Sequence, residues 1–293
     1  MGFGPEAEFA CWGGTGYNSS LSTRSSIELG DRPQMAIQLR TNEEIEKIRA
    51  AGRLVHEVLG ACGGMCRPGV TTREIDEEAY QIFTRAGARG LFKNYPTYRP
   101  GEGFPANLCI SLNECVVHGI ADDTPIRDGD IIGIDCGIEL DGWCGDSAAT
   151  VMVGNVRPQV RRMCEATQHV LRLAIENLRP GRRWSQIARL MQKYAERCGY
   201  SVVRDFVGHG IGRSMHEDPK VPNFVSPDLL KNDILLREGM VLAIEPMLNL
   251  GSKEVETLAD GWTVMTVDRK PSAHYEHTVA VTADGAKVLT DGR

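Results

Sequence analysis

The sequence predicts an α/β fold of the α+β kind, with two pseudo-symmetric halves in which helices cover a mostly antiparallel sheet. Two helix pairs recur along the chain at one fixed offset, and strand-like sequence follows each pair. At 293 residues the chain is near the upper size for a single core, which suits a duplicated architecture. Hydrophobic residues make up 42% and charged residues 25%, a composition that excludes a mostly disordered chain.

The first helix pair begins at two capping boxes, at residues 41–44 and 71–74, in which a threonine is followed three positions later by a glutamate. Hydrophobic spacing predicts the second pair at about residues 158–178 and 184–198. The two pairs align at an offset of 112 residues. The matched residues are Arg67, Pro68, Gly69 and Gly87 in the first pair and Arg179, Pro180, Gly181 and Gly199 in the second. Pro-Gly breakers and glycine caps are common, but this many matches at one offset favour a duplication.

Charge and cysteine content exclude several classes of function. The net charge of −6 offers no basic surface for a phosphate backbone, so we expect no direct nucleic-acid partner. No apolar run approaches the ~18 residues of a membrane helix, so we expect no membrane partner. The nine cysteines are odd in number and scattered, which favours reduced thiols and a cytoplasmic location.

Residues 1–34 differ from the rest of the chain, because they are rich in Gly, Ser and Thr and lack hydrophobic periodicity. They also lack the basic and apolar regions of a secretory signal. Two interpretations stay open: a disordered tail, or an artefact of the chosen start codon with translation beginning at Met35. We expect residues 35–293 to form a single domain.

A hairpin signal places two acids together. Asp141-Gly142 lies between two β-prone runs, and a two-residue turn there pairs residues whose numbers sum to 283. Asp135 and Asp146 then lie on one face of the hairpin as diagonal neighbours. Such like charges repel unless a cation lies between them, so the pair indicates a metal site. Two acids on a solvated strand face remain the alternative at this point.

Two further acids, Glu245 and Glu276, each lie inside an otherwise apolar predicted strand. Burying a lone carboxylate costs several kcal/mol, so each acid needs a partner. An arginine or lysine could serve one of them, but few basic residues lie nearby in the sequence to serve all four acids. The four acids together therefore favour a metal site.

Three histidines are candidates to join these acids. His209 lies among glycines that let the backbone approach closely, and no Lys-Ser/Thr follows as it would in a phosphate-binding loop. One histidine with four carboxylates suits two divalent ions. His118 and His216 are each flanked by turn residues, but a lone histidine is more often structural than catalytic.

These residues resemble the metal ligands of the methionine aminopeptidases. The five, at intervals of 11, 63, 36 and 31, are Asp135, Asp146, His209, Glu245 and Glu276. The sequences around them agree, as do those around His118 and Trp262, and the likeness runs from about residue 35 to residue 289. The short interval between His216 and Glu245 leaves no room for the insertion of the type II enzymes. The chain therefore resembles the bacterial-style type I enzymes.

The resemblance implies the pita-bread fold for residues 35–293, with helices over a curved sheet, and a centre of two divalent ions. Asp146 and Glu276 would bridge the ions, Asp135 would complete one site, and His209 with Glu245 would complete the other. The ions could be Co, Mn, Fe, Ni or Zn, because a site of oxygen and nitrogen ligands binds all of these.

The resemblance also implies an activity, the removal of the initiator methionine from nascent proteins whose second residue is small. His216 would donate to the developing oxyanion, His118 would contact the scissile amide nitrogen, and Glu245 would carry a proton to the leaving amine. The implied partners are nascent N-termini beginning with Met, with the ribosome as a further candidate, and we expect a monomer.

The resemblance places six residues around the methionine side chain. They are Phe104, Cys109, His118, Met215, His216 and Trp262. Phe104 stands where a tyrosine is common, and Met215 stands where an aromatic residue is common. Lys93–Glu102 resembles an insertion at the mouth of this pocket, so the positions of Tyr95 and Tyr98 cannot be assigned from the sequence.

Three alternatives to this function remain open from the sequence. One is a proline-specific aminopeptidase, although such enzymes carry a large N-terminal domain and the chain keeps Cys109 and Trp262. Another is a non-catalytic peptide-binding protein on the same fold, although such proteins lose metal ligands and all five are present here. A small-molecule hydrolase with two metals is not excluded by the site residues.

Overall fold

The computed structural model describes residues 37–96 and 103–293, so the interpretations of residues 1–34 and the position of Tyr98 lie outside the described residues. The described part has five helices: α1 (Asn42–Met65), α2 (Thr72–Arg85), α3 (Pro158–Asn177), α4 (Trp184–Arg197) and α5 (Pro227–Lys231). Both predicted capping boxes form, with the hydroxyl of Thr41 accepting from the Glu44 amide and that of Thr71 accepting from the Glu74 amide. None of the described helices is both long and apolar enough to span a bilayer.

The strands form short antiparallel pairs throughout the described residues. They are β1 (Arg89–Gly90), β2 (Cys109–Leu112), β3 (Cys115–Val117), β4 (Ile131–Leu140), β5 (Trp143–Met152), β6 (Ser201–Val202), β7 (Gly208–Gly210), β8 (Glu217–Val221), β9 (Val241–Ile244), β10 (Met247–Asn249), β11 (Val255–Thr257), β12 (Val264–Thr266), β13 (Ser272–His274), β14 (His277–Thr282) and β15 (Gly285–Val288).

Four sheets result from these pairs. The first has the order β1-β4-β2, with β5 also paired to β4, and the largest has the order β15-β14-β9-β7-β8. Two three-stranded sheets have the orders β13-β10-β6 and β11-β12-β3. The expected combination of helices with antiparallel sheets is confirmed.

The two helix pairs repeat at the predicted offset. Helix α2 begins at residue 72 and α4 at residue 184, and both pairs keep a glycine with positive φ at the equivalent positions. The backbone hydrogen bond from Gly69 to Ile126 has its counterpart from Gly181 to Leu236. The matches in the sequence therefore correspond to one supersecondary unit present twice.

Each helix pair covers its own hydrophobic core. Side chains of α1 and α2 pack with β2 and β4, whereas those of α3 and α4 pack with β9 and β14. The halves meet where the amides of Ala148 and Glu276 donate to each other's carbonyl oxygens, at 3.4 and 2.8 Å. This junction brings β5 of the first half beside β14 of the second.

Candidate metal centre

The hairpin of β4 and β5 positions the first two acids as predicted. Asp141 and Gly142 have φ values of 52° and 74°, the left-handed conformation that a two-residue hairpin turn requires. The turn pairs Asp135 with Ala148 and Asp146 with Gly137. The two carboxylates therefore lie on one face as diagonal neighbours, Asp146 buried and Asp135 partly buried.

Glu245 and Glu276 differ from the prediction, because neither lies inside a strand. Glu245 follows the last residue of β9, and Glu276 precedes the first residue of β14. The pairing of β9 with β14 resumes as β10 with β13, so the ladder breaks at these two acids. Pro246 has no amide hydrogen to donate at this point, which explains the break after Glu245. The two side chains lie where the double strand passes from one sheet to another.

Close backbone packing fixes His209 on β7. A Cβ atom at Gly208 would lie 2.3 Å from the carbonyl oxygen of Ala243, and one at Gly210 would lie 2.3 Å from that of Asp218. Only glycine fits on either side of the histidine. Nδ1 of His209 lies 2.9 Å from the carbonyl oxygen of Gly210, so Nδ1 donates and Nε2 keeps its lone pair for a ligand.

The acids and this histidine converge. Ligand atoms of Asp146, His209 and Glu276 all lie within 4.8 Å of one another, and all three residues are buried. Nε2 of His209 lies 3.6 Å from Oε1 of Glu245 and 4.0 Å from Oδ2 of Asp146. The charge of Asp135 acts on Asp146, Glu245 and Glu276, so all five predicted residues belong to one cluster.

The protonation of the cluster departs from ordinary values. Burial raises the pKa of Asp135 to about 7. Burial, and then repulsion by the neighbouring acids, raises the pKa of Asp146, Glu245 and Glu276 well above the usual range. Burial lowers the pKa of His209 to about 4. The cluster therefore resists holding four negative charges without a compensating cation.

The donor set fits divalent metal ions. Oδ1 of Asp135, Oδ1 of Asp146 and Oε1 of Glu276 are buried and have no hydrogen-bond partner. Within the described part of the chain, no lysine or arginine forms an ion pair with any of the four carboxylates. The basic side chains within 4.0 Å of their oxygens are histidines, whose lowered pKa values leave them neutral. Carboxylate oxygens with one imidazole nitrogen are suitable ligands for first-row divalent ions. The alternative of acids on a solvated strand face is thereby excluded.

His274 is a neighbour of this cluster that the sequence analysis missed. It is buried, and its Nε2 lies 3.9 Å from Oε2 of Glu245 and has no hydrogen-bond partner. Burial lowers its pKa to about 4. The signal was available in the sequence, because His274 lies two positions before Glu276 and residues two apart share a strand face.

His118 and His216 both lie beside the cluster. The ring centroid of His216 lies 4.3 Å from that of His209, and the ring of His118 packs edge-on against Phe206 at 5.1 Å. Burial, and then neighbouring histidines, lowers the pKa of both well below the usual range. Both imidazoles are therefore neutral at neutral pH, with one N–H and one acceptor nitrogen each.

Three of the predicted pocket residues line one cavity. Phe104, Cys109 and Trp262 enclose it together with Phe92 and Tyr95, which the sequence analysis did not assign to it. The rings of Phe104 and Trp262 meet edge-on at 5.2 Å, and the cavity measures only about 10 Å³.

The cavity adjoins the acids, because Cys109 pairs with Asp135 across β2 and β4. Met215 is not among the cavity residues. Its side chain lies beside that of Phe92 over Gly137, and a Cβ added to Gly137 would lie 3.0 Å from both side chains. Met215 thus packs with Phe92 over Gly137, and its contact with the substrate side chain stays a prediction.

Comparisons with known proteins agree with this site and fold. The model of metallopeptidase family M24 matches residues 46–283. The methionine aminopeptidase of Clostridium perfringens is 46% identical over 254 residues, which cover 87% of this chain and 98% of that protein. The methionine aminopeptidase 1 of Bacillus subtilis is 43% identical, with 86% and 98% covered.

A solved structure confirms the expected architecture. The crystal structure of methionine aminopeptidase from Rickettsia prowazekii matches with a TM-score of 0.81 and 38% identity, covering 87% of this chain and 99% of that one. The match confirms the pita-bread fold that the resemblance implied. The chain therefore belongs to metallopeptidase family M24 and, within it, to the methionine aminopeptidases.

Proposed function

We propose that this chain removes the N-terminal methionine from nascent proteins whose second residue is small, using two divalent metal ions. The observation that carries the proposal is the convergence of Asp146, His209 and Glu276 within 4.8 Å, beside a cavity lined by Cys109 and Trp262. The first group can hold metal, and the second is an apolar recess for a substrate side chain. The named relatives support the same activity.

The ions would be held by residues from both halves of the fold. The residues that would hold them are Asp135, Asp146, His209, Glu245 and Glu276. The three buried oxygens without a hydrogen-bond partner support this donor set. When bound, divalent ions supply a Lewis acid that polarises a carbonyl and makes a water molecule acidic near neutral pH. Co, Mn, Fe, Ni and Zn are all compatible with the donor set.

The remaining residues would bind the peptide and move its protons. His216 would donate to the oxygen of the scissile carbonyl as charge develops there, and losing such a donor typically costs ~10²–10³ in rate. His118 would contact the nitrogen of the scissile amide. Glu245 would accept a proton from the attacking water and pass it to the leaving amine.

The substrate's methionine side chain would occupy the cavity beside Phe104, Cys109 and Trp262. At about 10 Å³ the cavity has room for roughly one water molecule, so the lining side chains must move when a substrate enters. A thioether side chain is flexible and contacts aromatic rings favourably, which suits a recess between Phe104 and Trp262.

The cellular setting follows from the same proposal. We place the protein in the cytoplasm, acting as a monomer on nascent N-termini with the ribosome as a candidate partner. The eight cysteines among the described residues are free thiols, which supports a reducing compartment. We also propose that residues 35–293 form one catalytic domain.

Peptide release assays with metal-stripped protein reloaded with Mn²⁺ or Co²⁺ test the proposed specificity. We expect release of methionine from Met-Ala-Ser and little from Met-Leu-Ser, because the second residue must be small. Cleavage of Ala-Pro-Ala instead would move the protein to the proline-specific branch. If the protein binds these peptides but cleaves none of them with each of the five metals in turn, the non-catalytic alternative is favoured.

A further inference from the structure

The loop at the mouth of the cavity makes a specific contact with a site histidine. The hydroxyl of Tyr95 lies 3.0 Å from Nδ1 of His216, within hydrogen-bond distance. The two rings also meet edge-on, with centroids 5.7 Å apart and an angle of 84° between their planes. Tyr95 lines the cavity as well, so this one side chain contacts both the recess and the histidine.

The backbone around Tyr95 is fixed by its own hydrogen bonds. The amide of Asn94 donates to the carbonyl of Phe104 at 2.8 Å, and the amide of Phe104 donates to the carbonyl of Tyr95 at 3.0 Å. The amide of Tyr95 donates to the carbonyl of Phe92 at 2.7 Å. An added Cβ at Gly103 would lie 2.5 Å from Cα of Asn94, so this close approach requires glycine. The base of the loop thus holds the phenol ring against His216.

We propose that Tyr95 is a positioning residue that sets the tautomer and orientation of the His216 ring. A neutral imidazole offers one acceptor nitrogen and one N–H. The distance allows either partner to donate; in the proposed arrangement the Tyr95 hydroxyl donates to Nδ1, so the ring proton lies on Nε2 and that nitrogen presents a donor. The other tautomer would present an acceptor at Nε2, which cannot stabilise a developing oxyanion.

The catalytic consequence rests on the proposed function, in which His216 is the donor to the scissile carbonyl. Tyr95 touches neither the reacting atoms nor the metal ligands in this scheme, so its effect on the chemical step passes through His216, while its ring also lines the cavity. Tyr95, which belongs to the segment that resembles an insertion in the sequence, thereby contributes a side chain to the site. It also supplies a phenol hydroxyl near the cavity, where Phe104 lacks one.

The tautomer is measured directly by long-range ¹H–¹⁵N correlation spectra of ¹⁵N-histidine-labelled protein, both metal-free and loaded with diamagnetic Zn²⁺. A His216→Gln variant assigns the signals. In the wild type we expect an unprotonated Nδ1 and a protonated Nε2 at His216, and in Tyr95→Phe we expect the two tautomers to mix. A protonated Nδ1 in the wild type, or spectra unchanged by Tyr95→Phe, would overturn the proposal.

Kinetics on Met-Ala-Ser supply the second readout. We expect Tyr95→Phe to lower kcat about fivefold, the equivalent of ~1 kcal/mol, with KM within about twofold of the wild type. Tyr194→Phe removes a hydroxyl from α4 in the other half and should change neither value. A higher KM with unchanged kcat would contradict the proposal, because it would indicate only a looser cavity. The spectra need no turnover, so an inactive wild type would refute the proposed function and leave the tautomer test intact.

Discussion

At the scale of single residues, the main feature is four carboxyl groups that share one buried cluster. Ordinary ion pairing does not neutralise them within the described residues, since the basic side chains beside them are His209 and His274, which are neutral at neutral pH. The raised pKa values of the four are the energetic consequence, with that of Asp135 raised to about 7. The free energy of unfolding of the metal-free protein should therefore fall measurably as these groups ionise.

The pH range in which the protein loses stability follows from the direction in which folding shifts each pKa. Acids with raised pKa values lose stability as pH rises above about 4, because the unfolded state releases its protons first. Buried histidines with lowered pKa values, such as His209 and His274 at about 4, lose stability as pH falls below about 6.5. The two effects oppose each other between pH 4 and 6.5. Above pH 6.5 only the acids act, until the thiols begin to titrate near pH 9.

We therefore predict that the metal-free protein loses unfolding free energy as pH rises from 6.5 to 8. Urea unfolding in the presence of a chelator measures this loss. Asp135→Asn should reduce the slope, because it removes the group that titrates near pH 7. Adding Mn²⁺ should abolish the loss, since metal binding strengthens as the ligands deprotonate. A flat profile in the wild type without metal would contradict the repulsion among these acids.

A site residue can be predicted from the sequence when nearby residues in the chain determine its position in the fold. Asp135 and Asp146 follow from the turn at Asp141-Gly142, because the turn sets the register of both strands. The cavity residues Phe92 and Tyr95 do not follow, because their positions depend on a loop that returns beside residues far along the chain. His274 could have been found, because it lies two positions before Glu276, and the strand that the sequence predicts through both residues would place them on one face.

At the scale of elements, glycines let α1 pack directly on the sheet and the chain end. A Cβ at Gly145 on β5 would lie 2.8 Å from the amide nitrogen of Gly52, and a Cβ at Gly52 would lie 2.2 Å from the carbonyl oxygen of Leu289. Helical periodicity predicted α1, but it gives no sign of this close approach. The approach brings β5, which carries Asp146, under the helix.

Replacing two glycines of helix α1 by alanine should therefore change the stability of the protein in opposite directions. Gly60→Ala should stabilise the protein by about 0.5–1 kcal/mol, because nothing lies within 4 Å of the new methyl group and alanine favours the helix. Gly52→Ala should cost about 1–3 kcal/mol despite the same propensity gain, because the methyl group meets backbone. Urea unfolding of both variants measures the difference, and equal effects would refute the packing argument.

The strand breaks at Glu245 and Glu276 also belong to this scale. Apolar runs predicted continuous strands through both acids, but the ladder stops on either side of them. Period-two patterns identify strands but do not show where a paired strand leaves one sheet for the next. The break lets both acids reach the cluster, because the side chain of a residue outside the ladder is not restricted to one face of a sheet.

At the scale of the whole molecule, the site joins the two halves. Asp135 and Asp146 come from the hairpin of the first half, whereas His209, Glu245 and Glu276 come from the second half. The duplication visible in the sequence predicted both helix pairs, but it did not predict how the halves meet at Ala148 and Glu276. A cation bound between them would connect elements far apart in the chain.

We therefore predict that metal binding raises the melting temperature of the whole protein in one transition. At free Mn²⁺ of about 100 times Kd the stabilisation should reach ~2.7 kcal/mol, which corresponds to a shift of several degrees. Calorimetry across Mn²⁺ concentrations measures it. Asp284→Asn, which alters a carboxylate in the turn between β14 and β15, should keep the full shift. A shift that is equally large in Glu276→Gln would place the metal elsewhere.

In the proposed function, this cluster holds the metal on which methionine release depends. The most direct measurement is a Mn²⁺ titration of metal-stripped protein, following methionine release from Met-Ala-Ser in the wild type and in Glu276→Gln. We predict activity that appears with added Mn²⁺ and saturates in the wild type, and a rate lower by about 10²-fold or more in the variant at the same Mn²⁺. Equal rates in the two proteins, or full wild-type activity in the presence of a chelator, would contradict the claim.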